Sequence, residues 1–128
     1  MKKILTPVLF QFIFLSLSCG QTPIQEISPQ AAAFVSGSDT IFVDVREKYE
    51  TDELAYDKKG IVYIPLSELD KRYTELPTDR TIIVACRSGN RSKQAINSLK
   101  DKGYTNLINL KGGINEWLKS GLPVIHKE

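Results

Sequence analysis

The chain is poor in the side chains that build metal centres. Among 128 residues it has one histidine, His126, and two cysteines, Cys19 and Cys86. A structural or catalytic zinc takes three or four Cys, His or carboxylate ligands at characteristic spacings. This set does not supply them, so no metal and no other bound cofactor is expected. His126 stands near the C-terminus, outside every motif, and reads as a surface residue rather than a base. Neither a phosphate-cradling glycine loop nor a dinucleotide fingerprint is present. No internal repeat or low-complexity run occurs, and no apolar run reaches the roughly 20 residues of a spanning helix. An excess of one charge is missing too. Lys and Arg number 17 against 15 Asp and Glu, and Lys2 and Lys3 fall in a segment expected to be removed, which leaves the two signs balanced. There is no basic field to draw nucleic acid. What remains is ordinary for one globular domain: 41% hydrophobic and 25% charged residues.

The N-terminus carries a targeting pattern. Met1-Lys2-Lys3 is a positive leader and Ile4 to Ser18 an apolar stretch too short to span. Ser16-Leu17-Ser18-Cys19 then resembles a bacterial lipoprotein signal, with small Ser18 before the cysteine and Leu15 one position earlier than the usual pattern places it. The division read from this is a signal segment at 1–18, a lipidated Cys19 and tether at 19–26, and a globular domain at 27–128. The expected location is the periplasmic side of a bacterial envelope, lipid-anchored to the membrane. An ordinary cleaved signal or a membrane anchor is the alternative. If Cys19 carries lipid, Cys86 has no partner in its own chain. A free thiol in an oxidising compartment is a liability unless it is used.

The globular part alternates short apolar runs with helical patterns. Ser28-Pro29 opens a helix through Val35. Strands are expected at 40–45, 61–64, 81–85 and 107–110. A weak helical turn is expected at 47–54, and a helix capped by Ser67 carries Leu69 and Tyr73. Further helices run over 92–102, closed by Gly103, and after the Gly112-Gly113 turn, where Trp117 reads as core. This order predicts an α/β fold: a three-layer, mainly parallel twisted sheet with helices on both faces.

Cys86-Arg87-Ser88-Gly89-Asn90-Arg91-Ser92 follows the β-branched strand Thr81–Ala85 and opens onto a helix. In a parallel α/β sheet, ligands bind at such a junction. Backbone N–H groups of the loop, the helix N-terminus and the charges of Arg87 and Arg91 all favour a thiolate. Cys86 is therefore the candidate nucleophile, against the alternative of an inert buried cysteine. Arg91 either aims its fork at an anionic substrate or forms a salt bridge that fixes the loop. Arg87 is placed at the pocket mouth. Ser88, Asn90 and Ser92 are expected to hydrogen-bond within the loop, with Ser92 also a candidate helix cap, and Gly89 permits the tight turn. Asp44 and Arg46, at the end of another strand, flank the same end of the sheet in a supporting role.

The Cys86–Arg91 loop, Asp44-Val45-Arg46-Glu47 and Leu110-Lys111-Gly112-Gly113-Ile114-Asn115-Glu116-Trp117 occur in the order of the rhodanese family of sulfurtransferases, which the chain resembles from about Ile27 to Val124. The resemblance implies the rhodanese-like fold. It implies transfer of sulfane sulfur from thiosulfate or a related small donor, through a Cys86 persulfide, to cyanide or an external thiol such as a thioredoxin-like protein or a low-molecular-weight thiol. It also implies that Asp44 and Arg46 help hold the active loop. A monomer is expected. Two other classes stand beside this one. One is a binding or redox adaptor module on the same scaffold. The other is a cysteine-dependent phosphatase or arsenate reductase, whose loops place the arginine one residue later. The chain departs from many members before the third strand, where Tyr56-Asp57-Lys58 stands over a Gly-His-Ile run.

Overall fold

The computed structural model describes Lys3 and residues 22–128. The signal at 1–18 and the lipid site Cys19 lie outside the described residues. No helix among those described is long and apolar enough to cross a membrane.

The elements run β1 (Gln25–Ile27), α1 (Pro29–Phe34), β2 (Thr40–Asp44), α2 (Lys48–Glu53), β3 (Leu54–Tyr56), β4 (Val62–Tyr63), α3 (Leu69–Arg72), β5 (Thr81–Ala85), α4 (Asn90–Asp101), β6 (Leu107–Leu110), α5 (Gly113–Lys119) and β7 (Val124–His126). Five strands form a parallel sheet in the order β1-β6-β5-β2-β4, and β3 pairs antiparallel with β7 in a separate ribbon. The expected α/β class with a mostly parallel sheet is the one observed.

Strand alternation sorts the core into two layers. Val43, Ile82, Val84 and Cys86 face one side with Leu69, Ala95, Ile96 and Leu99. Phe42, Ile83 and Ala85 face the other with Ala32, Tyr56, Ile114 and Trp117. In the second layer Phe42, Tyr56 and Trp117 meet edge to face, with ring centroids 5.2–6.1 Å apart, the geometry that aromatic quadrupoles favour. Trp117 is core, as its position predicts.

Four expectations are corrected. Gln25 and Glu26, read as tether, belong to edge strand β1, where Gln25 aligns with Ile108 and Ile27 with Leu110. Three residues are too few to show a strand period, and pairing with β6 makes the strand. The β3–β7 ribbon lies outside every expected strand for the same reason. The 61–64 strand shrinks to two residues. Ser67 is no cap: it lies inside a 3₁₀ turn, Leu66–Glu68, that follows Pro65, and its hydroxyl donates to Glu47 Oε2 at 2.9 Å. The helix expected there breaks into that turn, the four-residue α3 and a second 3₁₀ turn at Tyr73–Glu75.

The chain leaves β2 for the sheet edge at β4, then returns to the other side of β2 to form β5. The direction of winding therefore reverses between β2 and β5, the position at which open α/β sheets form a crevice at their strand C-terminal ends. Asp44 aligns with Ala85 across these two strands, so Arg46 and Cys86 follow at the same end.

Candidate active site

Cys86 leaves β5 fully buried, and its sulfur is covered by the loop that follows. Gly89 N–H donates to Cys86 Sγ at 3.0 Å, and Ser92 Oγ lies 3.3 Å from the same atom. Gly89 is the N-cap of the twelve-residue α4, with φ +101°. Having no side chain, it offers no cap of its own, and Cys86 sulfur occupies the capping position instead. Burial pushes the thiol pKa up. The Ser92 hydroxyl and the backbone N–H groups of Ser92, Gly89 and Ser88 outweigh it and bring the pKa below the ordinary thiol value.

The loop holds this shape because its carbonyls are turned away from the sulfur and bonded elsewhere. Ile114 N–H donates to Cys86 O at 2.9 Å and Asn115 N–H to Arg87 O at 3.1 Å, both from the first turn of α5. Gly113, with φ +57°, lets α5 come this close: a Cβ there would stand 2.5 Å from Cys86 O and from Arg87 C. The Gly-Gly pair, read from sequence only as a strand-to-helix turn, thus seats one helix N-terminus on the loop that opens another.

Tyr56 is the residue the sequence reading missed on this side. Its hydroxyl donates to Cys86 O at 2.7 Å. Burial is the main reason its pKa is raised well above the ordinary phenol value, so it remains a donor. Arg46 stacks over its ring at 5.3 Å. Asp44 and Arg46 form a buried pair, with Arg46 Nη2 2.7 Å from Asp44 Oδ2, and the guanidinium also donates to Leu54 O at 3.0 Å. Among the described residues no hydrogen bond joins the pair to the loop; Tyr56, beneath Arg46, makes one to Cys86 O. Lys58, two residues on, closes the C-terminal end of α1 by donating to the carbonyls of Ala32 and Ala33.

Of the two readings of Arg91, the structure shows the salt bridge. Its Nη1 and Nη2 donate to Glu50 Oε2 and Oε1 at 2.6 and 2.7 Å, so the fork is engaged by α2. Arg87, Ser88 and Asn90 are exposed, and among the loop's polar side chains Ser92 alone hydrogen-bonds to the loop among the described residues. Ser92 is not the helix cap. It lies in the first turn of α4 and its hydroxyl stands 3.0 Å from Gly89 O. His126 is exposed on β7, away from the loop. A cavity of about 650 Å³ lined by Thr40, Lys58 and Arg80 lies at the opposite ends of the strands and has no part in this site.

The rhodanese-like domain family matches residues 29–120, the span that holds the loop, the buried Asp44–Arg46 pair and the Gly-Gly turn. The chain belongs to that family. Rhodanese-like relatives include a sulfurtransferase of Allochromatium vinosum, 36% identical over 90 residues, which are 70% of this chain and 82% of that one. A putative sulfur carrier protein of Bacillus subtilis is 36% identical over 96 residues, and the chain spans about half its length, 51%. Among solved structures, a rhodanese-related protein from Thermoplasma volcanium superposes with a TM-score of 0.67 at 29% identity, over 79% of this chain and 97% of that one. The family and its sulfurtransferase relatives support a sulfur-transfer role for this rhodanese-like chain.

Proposed function

We propose that the protein is a rhodanese-type sulfurtransferase that carries sulfane sulfur on Cys86. The carrying observation is the sulfur itself: a buried cysteine at the switch point of the sheet, facing one backbone N–H at 3.0 Å and one hydroxyl at 3.3 Å, with its pKa lowered despite burial. Thiolate is the nucleophilic form. It attacks the outer sulfur of thiosulfate or a related sulfane donor. A Cys86 S–S bond forms, the bond from that sulfur to the sulfonate breaks, and sulfite leaves with the electron pair. Cyanide or an external thiolate then attacks the outer sulfur of the persulfide, and Cys86 thiolate departs. No net oxidation occurs, so no redox cofactor is called for. The loop N–H groups that face Sγ also suit the negative charge of the persulfide.

The short loop favours sulfur over phosphorus. We further propose that the protein acts on the periplasmic side of a bacterial envelope, anchored by lipid on Cys19, with a small thiol or a thioredoxin-like protein as acceptor.

The test is incubation of wild type and Cys86→Ser with thiosulfate, followed by intact mass and a thiosulfate:cyanide assay. Wild type is expected to gain one sulfur atom and to turn over, and the variant to do neither while keeping its fold. Turnover by Cys86→Ser would remove Cys86 from the reaction, and a thiol inert to thiosulfate, polysulfide and persulfidated thiols alike would leave the adaptor-module reading in its place.

A further inference from the structure

Asn109 is a buried polar residue that no motif singles out. It lies in β6 between Val84 and Glu26 of the neighbouring strands and is 1% exposed. Its Oδ1 makes a close contact with Ser92 Oγ. Its Nδ2 has no hydrogen-bond partner, the one such buried side-chain atom among the described residues. That nitrogen lies against Gly89, 3.6 Å from the point a Cβ would occupy there. A buried carboxamide without a partner for its nitrogen is costly and calls for an explanation.

Counting protons gives one. Ser92 has a single hydroxyl proton and three candidate acceptors: Cys86 Sγ at 3.3 Å, Gly89 O at 3.0 Å and Asn109 Oδ1. A thiolate has no proton to give, so with Cys86 ionised the contact between Ser92 Oγ and Sγ is a hydrogen bond only when the Ser92 proton points at the sulfur. The Ser92 lone pairs would then face two oxygens. The two ends of a carboxamide fill nearly the same space, and the hydrogen bonds around them decide which is which. Turning the Asn109 amide over puts Nδ2 on Ser92 Oγ. This gives the orphan nitrogen its acceptor and removes one of the two contacts between oxygens, leaving Gly89 O at 3.0 Å from Ser92 Oγ.

We propose that Asn109 is a positioning residue whose Nδ2 donates to Ser92 Oγ and thereby commits the Ser92 hydroxyl proton to the Cys86 thiolate. The chain of bonds runs from β6 through the first turn of α4 to the end of β5. It polarises in one direction, each donor strengthening the next. The proposal rests on the reading of Cys86 as the nucleophile, but it concerns ionisation of the thiol alone. The charged and titratable groups facing Cys86 are few. From β3 comes the Tyr56 hydroxyl, and from α4 comes Arg91, held by Glu50 of α2. The Asp44–Arg46 pair of β2 stands behind Tyr56, while Lys111 and Glu116 of the β6–α5 segment are exposed. An Asn109 variant changes none of these charges unless the replacement is itself charged, so Asn109→Leu is the substitution of choice.

The experiment measures the Cys86 titration midpoint by pH-dependent alkylation, without any sulfur donor, in wild type, Asn109→Leu, Ser92→Ala and the double variant. Asn109→Leu is expected to raise the midpoint by about one pH unit, Ser92→Ala by at least as much, and the double variant by no more than Ser92→Ala. An unchanged midpoint in Asn109→Leu, or an equal further rise when it is added to Ser92→Ala, would overturn the proposal. Wild type gives a second measurement should Asn109→Leu not fold. At a pH where Cys86 is ionised, NMR cross-relaxation from the Asn109 amide protons should reach the Ser92 β protons. Cross-relaxation to Gly89 α protons alone would overturn the proposal. Loss of sulfur transfer as a function would leave these readouts in place, and failure of the midpoint shift would leave sulfur transfer untouched.

Discussion

Arg91 and Glu50 form a two-pronged ion pair, 2.6 and 2.7 Å between paired atoms, across 41 positions of sequence. It ties the end of the active loop to α2. The guanidinium engaged in this way is not free to meet a substrate end-on, which leaves the holding of anionic sulfur to backbone N–H groups and Ser92.

The first prediction follows from this pair. Glu50→Gln and Arg91→Lys should each lower stability by about 1.5–3 kcal/mol, the range for hydrogen bonds to charged groups, because either change breaks the matched fork. Combined, they should cost clearly less than the sum of the two, measured as a double-mutant cycle by urea unfolding. Additive costs would mean that the pair is not coupled. The pair also carries a pH signature. The Arg91 hydrogen bond, working against burial, lowers the Glu50 pKa. The stability it contributes is therefore present above the ordinary carboxylate value and is lost as pH falls through the lowered one. Wild type should lose its advantage over Glu50→Gln in that acid window.

Gly113 and Gly103 provide a matched comparison. Both have positive φ, +57° and +91°, so alanine is strained at either position by about 1–3 kcal/mol. A Cβ at Gly103 meets nothing within 4 Å, whereas at Gly113 it meets Cys86 O and Arg87 C at 2.5 Å. Gly103→Ala should lower the melting temperature and leave thiol reactivity as it was. Gly113→Ala should lower both, since α5 can no longer hold the loop carbonyls. Equal alkylation rates in the two variants would remove Gly113 from the account of the site.

Thiol titration tests the balance struck at Cys86. The midpoint should lie below the free value of about 8.5, with the loop N–H groups and Ser92 overcoming burial. The sign in stability is fixed by the same shift. Between the lowered and the ordinary pKa the unfolded chain binds the extra proton, so stability rises with pH across that window, is full above it, and falls as pH drops through the lowered value. Cys86→Ser should lack this slope. A midpoint at or above the free value would mean that burial prevails.

The anchor prediction concerns Cys19. Metabolic lipid labelling and membrane fractionation should place the protein on the membrane, and Cys19→Ala should abolish labelling. Two acyl signals suffice for stable attachment where one is marginal. A soluble wild type, cleaved away from Ser18 and free of lipid, would refute it.

Cys86, its strand and its helix were legible because local pattern is enough for them: a β-branched run, a glycine and a helical period lie side by side in the chain. The outline of the fold was legible for the same reason. β1, β3 and β7 were not, since three-residue strands exist only by virtue of the backbone they pair with. The same distinction divides the site. Sequence placed a cysteine at a helix N-terminus, which sets the sign of its chemistry. Which partner Arg91 takes, which hydroxyl meets Cys86 O and what stands behind Ser92 depend on Glu50, Tyr56 and Asn109. These residues come from α2, β3 and β6, distant in the chain, and only the folded chain brings them within hydrogen-bond reach of the loop. Hydrogen bonds act over about 3 Å, and no spacing along a chain reports a distance that short between residues dozens of positions apart.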